Sequence, residues 1–207
     1  MADRMPLDFD PPARRLRSLL LGIGEAELTA PTPCEGWTVA ALLVHIIGFC
    51  SAFAQAARKL TGVPGIDSPP PSPDAADLPM YWRSRMPVLI EELAAAWRDP
   101  AAWTGTSRVG GTTMPAATIG GFGMNELVMH SWDLAKATGQ DYATDPRILE
   151  ALIELLSQES PGAFGPVVDI EDESCLLDAA VSLAGRDPSW RRGRNPNLNS
   201  PSTSVAE

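Results

Sequence analysis

The segment Val39–Ala57 constrains the fold more than any other part of the chain, because it runs for 19 residues without a charged side chain. A segment of this length and polarity either crosses a lipid bilayer or forms a helix that is buried on nearly all sides in a soluble bundle. It contains His45, Gly48, Ser51 and Gln55, and it is richer in alanine than in leucine. These features favour the central helix of a soluble protein over a membrane span.

The overall composition fits one soluble domain with an acidic surface. The chain has 207 residues, 44% of them hydrophobic, and its 26 acidic and 16 basic residues give a formal net charge of −10. This charge argues against partners such as nucleic acid or an anionic membrane. The three cysteines, Cys34, Cys50 and Cys175, are odd in number and show no CxxC spacing, which argues against a disulfide framework and favours a reducing cytoplasm. The charged, proline-containing N-terminus does not resemble a secretory signal.

The periodicity of apolar residues predicts a mostly helical protein. The patterns indicate five or six helices: Pro11–Ile23, Val39 to about Leu60, Tyr81–Arg98, about Pro115–Thr138, Asp145–Leu156 and, as the candidate sixth, Ser174–Leu183. The segment Thr61–Pro79 holds six prolines and is predicted to be a surface loop. The residues that flank Val109–Gly111 predict a small hairpin. The fold class is therefore all-α, a bundle with one or two extra C-terminal helices.

The C-terminus departs from this helical pattern. From Arg191 onward the chain is polar and rich in proline and serine, which predicts disorder. No internal repeat divides the rest of the chain. We therefore expect one helical domain over residues 1–190 and a disordered tail over residues 191–207.

The two histidines of the chain, His45 and His130, both lie in apolar predicted helices. Glu126 precedes His130 by four residues, so the two side chains share one helical face, with Cβ atoms about 5–6 Å apart. If His45 approaches from the neighbouring helix, two imidazoles and one carboxylate meet and leave a coordination position open, which suits a catalytic zinc better than a structural one. The sequence therefore points to a metal site made of His45, Glu126 and His130.

Each of these residues also has a simpler interpretation. On its own, His45 fits a core histidine with hydrogen-bonded ring nitrogens. Glu126 on its own fits a solvated helix residue, although its apolar neighbours make an unpaired carboxylate costly. Asp133 either orients the His130 imidazole from behind or caps and pairs at the surface.

Other chemistry finds little support in the sequence. Cys50 falls on a different helical face from His45 and is assigned to packing, and no base is evident near Cys34 in its loop. The glycine-rich stretch Gly120–Gly123 does not complete a GxGxxG pattern, and the chain lacks phosphate-loop, HExxH and GxSxG motifs. Phosphate binding and serine-nucleophile chemistry are therefore not expected.

Several stretches of the sequence resemble signatures of a known family. Thr32–Val39 running into Leu42–Gly48 resembles the N-terminal signature of the DinB/YfiT-like superfamily. Asn125–Ala135 with Ala137–Gly139 resembles the second signature of one branch, the metal-binding domain of mycothiol-dependent maleylpyruvate isomerase. Gly185–Trp190 resembles the closing motif of a subset of uncharacterised relatives.

The resemblance spans about Pro11–Trp190 and implies a DinB-like four-helix-bundle core with one divalent ion, usually zinc. The metal ligands of the family correspond to His45, Glu126 and His130. Many members of the superfamily carry three histidines instead, so the glutamate places this chain nearer to the isomerase branch.

The function implied by the resemblance is thiol chemistry. Relatives include S-transferases that use mycothiol or bacillithiol, which implies a cytoplasmic S-transferase or isomerase whose partners are a small-molecule thiol such as mycothiol and an electrophilic substrate. The isomerase has a further C-terminal domain that this chain is too short to hold, so the substrate stays open. The alternative is a non-catalytic helical module that binds a metal or sequesters a small molecule. The chain is expected to be a monomer or a homodimer.

Overall fold

The structure is a computed structural model that describes residues 6–158, 164–170 and 175–193. Within these residues the chain forms six α-helices and one β-hairpin: α1 Asp10–Leu21, α2 Val39–Ala57, α3 Trp82–Trp97, β1 Thr106–Val109, β2 Thr112–Pro115, α4 Ala116–Thr138, α5 Pro146–Gln158 and α6 Leu176–Leu183. Short 3₁₀ helices lie between them at Glu25–Glu27, Ala75–Asp77 and Pro100–Trp103. The predicted all-α fold with a small hairpin is confirmed.

Helices α1 to α4 form a four-helix core in which α1 and α2 each pack against both α3 and α4. Helix α2 has the length and composition of a membrane span, with a mean hydropathy of 1.9, but 67% of that stretch is buried inside the bundle. Neighbouring helices therefore cover most of the apolar surface that made this segment so distinctive in the sequence. Its packing is that of a core helix.

The start of α2 is fixed by the preceding loop. Thr38 has an extended backbone, and its side-chain oxygen accepts a hydrogen bond from the Ala41 N–H, as expected for an N-cap. Thr38 also forms an isolated antiparallel bridge with Pro31. These contacts hold the loop against the start of α2, and Trp37 and Cys34 within it are partly buried. The helix ends at Ala57, three residues before the predicted Leu60.

Helix α4 is buried on nearly every side. Two of its glycines allow neighbouring rings to approach closely. A Cβ atom on Gly120 would lie 2.6 Å from a ring carbon of Trp103, and one on Gly123 would lie 2.8 Å from a ring carbon of Phe53. Close packing of this kind fixes the position of α4 relative to α2.

The hairpin and the C-terminal helices surround this core. The tip of the hairpin is tied to the loop after α2 by backbone hydrogen bonds from Gly110 to Gly65 and from Gly111 to Ile66. Helices α5 and α6 pack on each other, and α5 also contacts α4. Most of the predicted disordered tail, residues 194–207, lies outside the described residues, so the division into a domain and a tail stays a prediction.

Candidate metal centre

The structure brings His45, Glu126 and His130 together where α2 packs against α4. The Oε2 atom of Glu126 lies 2.9 Å from Nε2 of His45 and 3.2 Å from Nε2 of His130. One ligand atom from each of the three residues lies within 4.8 Å of the other two. The imidazole rings meet almost edge to face, with centroids 4.6 Å apart and planes at 77°. The helical register accounts for Glu126 and His130, and the packing of the two helices accounts for His45.

Aromatic rings enclose the two imidazoles. The Trp37 ring lies 5.1 Å from the His45 ring and 6.3 Å from the His130 ring, measured between centroids. Phe49, one turn after His45 on α2, lies 5.8 Å and 5.9 Å from the same two rings. Such packing restricts ring rotation, so both Nε2 atoms stay directed at the carboxylate.

The three side chains are largely buried, and the contacts among them influence the protonation of Glu126 and His130. The side chains of His45, Glu126 and His130 are 20%, 14% and 5% exposed. Burial favours the neutral form of Glu126, but hydrogen bonds from His130 and His45 outweigh it and lower its pKa. Burial favours neutral His130, but Asp133, Cys34 and Glu126 together raise its pKa well above the usual value. The cluster thus keeps an ionised carboxylate at its centre.

Asp133 supports His130 from the side opposite Glu126. Its carboxylate is fully buried, and its Oδ2 atom accepts a hydrogen bond of 2.9 Å from Nδ1 of His130. With Nδ1 engaged in this way, Nε2 of His130 is the nitrogen that faces Glu126 and His45. Ligating histidines characteristically have such a partner, which fixes the tautomer and the ring orientation. The alternative interpretation of Asp133 as a surface residue is wrong, because solvent does not reach it.

Arg186 and Cys34 complete the surroundings of Asp133. Arg186, after α6, donates a hydrogen bond of 3.3 Å to Oδ2 of Asp133. The Cys34 thiol donates one of 3.2 Å to the same oxygen, and its sulfur lies 4.0 Å from Nδ1 of His130. The sequence-based expectation that Cys34 has no base nearby is therefore wrong. Both residues lie within stretches that carry the family resemblance. That resemblance was the sequence signal that could have pointed to them as neighbours of the site.

Two groups of side chains have metal-binding geometry among the described residues, and they share His130. The second group consists of Cys34, Asp133 and Nδ1 of His130. The Arg186 guanidinium lies 3.3 Å from Asp133 and 3.8 Å from the Cys34 sulfur, so its charge opposes a second cation there. Among the residues that the structure describes, no lysine or arginine forms an ion pair with His45, Glu126 or His130, so this group is the better candidate.

The donor set fits a divalent ion. Two imidazole nitrogens and one carboxylate oxygen are the ligands of many catalytic zinc sites, which leave a further position open. Here Nε2 of both histidines converges on the same carboxylate oxygen, and the imidazole of His130 is already oriented by Asp133. His45 and Glu126 also line a cavity of about 590 Å³, which gives a small molecule access to the donor atoms.

A helical bundle with two histidines and a glutamate at the contact of two core helices defines a class of candidate metal-binding bundle proteins. The comparison with known proteins narrows this class. A profile of the mycothiol maleylpyruvate isomerase N-terminal domain matches residues 9–135, so the chain belongs to this family. The predicted resemblance is confirmed.

Other known proteins match the chain in sequence or in structure. Rv0738 and MT0763, uncharacterized proteins from two strains of Mycobacterium tuberculosis, are each 28% identical over 157 residues, covering 75% of this chain and 80% of theirs. Crystal structures of a mycothiol-dependent maleylpyruvate isomerase and of its mutant match with TM-scores of 0.55 and 0.58. They are 20% identical and cover 76% of this chain and 70% of theirs. This likeness confirms the DinB-like helical fold.

Proposed function

We propose that the protein is a metal-dependent enzyme in which a small-molecule thiol, with mycothiol as the first candidate, reacts with a small electrophile by S-transfer or isomerisation. The observation that carries the proposal is the convergence of His45, Glu126 and His130 beside an accessible cavity. Membership of the family supports the thiol, since the solved relatives are described as mycothiol-dependent.

His45, Glu126 and His130 would hold the metal, and zinc is the divalent ion that this mixed nitrogen and oxygen set favours. When bound, such an ion supplies a Lewis acid that stabilises a thiolate at neutral pH. The residues themselves supply orientation. Asp133 accepts a hydrogen bond from Nδ1 of His130, which directs Nε2 toward Glu126 and His45, where a metal ion would bind.

The surroundings of the site support chemistry on a desolvated thiol. The rings of Trp37 and Phe49 pack against both imidazoles. His45 and Glu126 also line the cavity, which leaves them open to a substrate. A largely buried site strengthens electrostatic interactions within it, which favours the ionised thiol over the neutral one when a cation is present.

We also propose that the protein is cytoplasmic and acts without binding nucleic acid or a membrane. The three cysteines are free, and the formal net charge is −10. A reducing compartment keeps such thiols unpaired, and an acidic chain repels nucleic acid.

Metal analysis combined with a thiol assay tests the proposal. We expect close to one zinc ion per chain in the wild type and a sharp loss in Glu126→Gln and in His45→Ala. Glu150→Gln, the same change at an exposed position of α5, serves as the matched control and should keep its zinc. Zinc should also raise the melting temperature of the wild type, because a ligand that binds only the folded state stabilises it.

The thiol assay follows conjugation of mycothiol to a panel of small electrophiles by the zinc-loaded protein. Turnover that requires both zinc and the thiol would support the enzyme. A wild type that binds no zinc and melts at the same temperature with and without it would refute the metal site. Zinc binding without turnover across the panel would favour the non-catalytic module.

A further inference from the structure

The cavity beside His45 and Glu126 lies between α2, the loop that follows it and the tip of the hairpin. We infer that it binds the uncharged, hydrophobic body of the electrophilic substrate and rejects a substrate that carries a second carboxylate there. This inference rests on the proposed function and specifies the substrate class of the same site. It is carried by the shape of the cavity and by the charges that line it.

The walls of the cavity are mainly apolar. Val44, Phe49 and Phe53 contribute the face from α2, and three consecutive prolines, 69–71, contribute the opposite face. Its volume of about 590 Å³ is in the range of pockets that enclose a small organic molecule. The Phe53 ring is held in place by its close contact with Gly123 on α4. The walls are therefore preformed for an apolar group.

The charges of the lining are acidic. Among the described residues that line the cavity, none is lysine or arginine, and the two carboxylates are Glu126 and Asp77. Arg108, next to the lining residue Val109, is already paired with Asp67, with 3.1 Å between Nε and Oδ1. An anion placed among these apolar walls would find no cation to offset its lost hydration.

A metal ion at the donor atoms would satisfy an anionic group only at one end of the cavity. The rest of the ligand would face mainly phenylalanine and proline, together with three serines, Gln55 and Asp77, and none of these groups carries a positive charge. A dicarboxylate would therefore leave one charge without a partner, whereas an uncharged body would bury apolar surface against these walls. The cavity therefore suits a ligand whose body is uncharged.

Gly48 offers a way to fill the cavity without disturbing the fold. It lies within α2, is exposed and lines the cavity, and a Cβ atom built on it would meet no atom within 4 Å. Glycine within a helix is unfavourable relative to alanine or leucine. A side chain at this position should therefore keep the helix intact while it occupies the space that the ligand needs.

The experiment uses a neutral fluorescent probe, N-phenyl-1-naphthylamine, with zinc-loaded and with chelator-treated protein. We expect the probe to bind the wild type and to bind Gly48→Leu at least about tenfold more weakly, with a smaller loss in Gly48→Ala. Ala95→Leu, which adds leucine to an exposed position of α3, is the matched control and should bind like the wild type. Melting temperature and zinc content are measured for every variant, so a misfolded protein is recognised.

Competition then tests the charge preference. Dimethyl phthalate, a neutral diester, should displace the probe, and phthalate, the corresponding dianion, should not. Displacement by phthalate as good as or better than that by the diester would overturn the inference, and so would unchanged probe binding in Gly48→Leu. If thiol turnover is observed but prefers dianionic substrates, the inference fails while the proposed function stands. A third outcome is that zinc does not bind, while Gly48→Leu still excludes the probe and only the diester displaces it. In that case the proposed function fails and the charge preference of the cavity stands.

Discussion

Replacing Arg186 with leucine would test whether the segment after α6 positions the metal site through Asp133. The Arg186 side chain is 10% exposed and that of Asp133 is 0% exposed, with 3.3 Å between Nη2 and Oδ2. Arg186 also donates a hydrogen bond of 2.5 Å from Nη1 to the Ala184 carbonyl oxygen. The substitution leaves a buried carboxylate whose remaining partners are His130 and Cys34.

The magnitude follows from the burial of both partners. Removing one member of a buried ion pair typically costs about 3–5 kcal/mol, because the other charge is left without its counter-ion. Since His130 still donates to Asp133, we expect Arg186→Leu to lower the free energy of unfolding by about 3 kcal/mol, the lower end of that range. Arg186→Lys keeps the charge but loses the planar fork, so it should retain part of this stability.

The assay is urea unfolding in the presence of a chelator, so that metal binding does not contribute. Combining Arg186→Leu with Asp133→Asn removes both charges, and the double variant should lose less than the sum of the single losses, by about 2 kcal/mol. Zinc affinity, measured by chelator competition, should fall about 10-fold to 100-fold in Asp133→Asn, because His130 loses the group that orients it. The Arg186→Leu variant should show a smaller fall in affinity in the same direction.

Two results would refute this reasoning. One is a loss below about 1 kcal/mol for Arg186→Leu, which would mean that water or a neighbouring group compensates the charge of Asp133. The other is simple additivity in the double variant, which would mean that the two side chains do not interact energetically. Unchanged zinc affinity in Asp133→Asn would separately remove the positioning role from Asp133.

Three further predictions concern the helices that carry the site. Thr38→Ala removes the side-chain oxygen that accepts from the Ala41 N–H at the start of α2, and should cost about 1 kcal/mol in urea unfolding. Gly120→Ala places a methyl group 2.6 Å from a ring carbon of Trp103, so it should destabilise the protein by about 1–3 kcal/mol despite the better helix propensity of alanine. Burial raises the pKa of the Cys50 thiol, so it should stay unlabelled by a thiol reagent in the native protein and react once urea unfolds the chain. Labelling of native Cys50 at the rate of the unfolded chain would contradict its placement in the core.

The sequence predicts the helices and the pairing of Glu126 with His130 because both depend on regular spacing, whereas the approach of His45 depends on how two helices pack. Two helices with strong apolar patterns carry the two histidines, and the i, i+4 spacing places Glu126 beside His130 without further information. The predicted start of α2 at Val39 is also confirmed, because the Thr38 N-cap that fixes it depends on residues within one turn. The end of α2 is less well predicted, since no proline or favoured cap residue marks it.

The surroundings of Asp133 could not be predicted in the same way. Cys34 is 99 residues from Asp133 in the chain, and Arg186 is 53 residues away. Their approach depends on the path of a loop and of the segment after α6, neither of which has a periodic pattern. The cavity is likewise formed by a proline-rich loop that the sequence marks only as irregular. The metal and the thiol stay predictions, because ligand spacing alone does not specify either of them.

The near-complete burial of α4 has a consequence for how the protein opens. Its amide hydrogens should exchange with solvent mainly when the whole bundle unfolds, because neighbouring elements cover nearly all of the helix. Helices α5 and α6, which pack mainly on each other, can open in a smaller fluctuation. Such an opening would detach Arg186 while Glu126, His130 and Asp133 keep the register that α4 imposes. The protein would then keep its candidate metal ligands on α4 in place during the same fluctuations that separate Arg186 from Asp133.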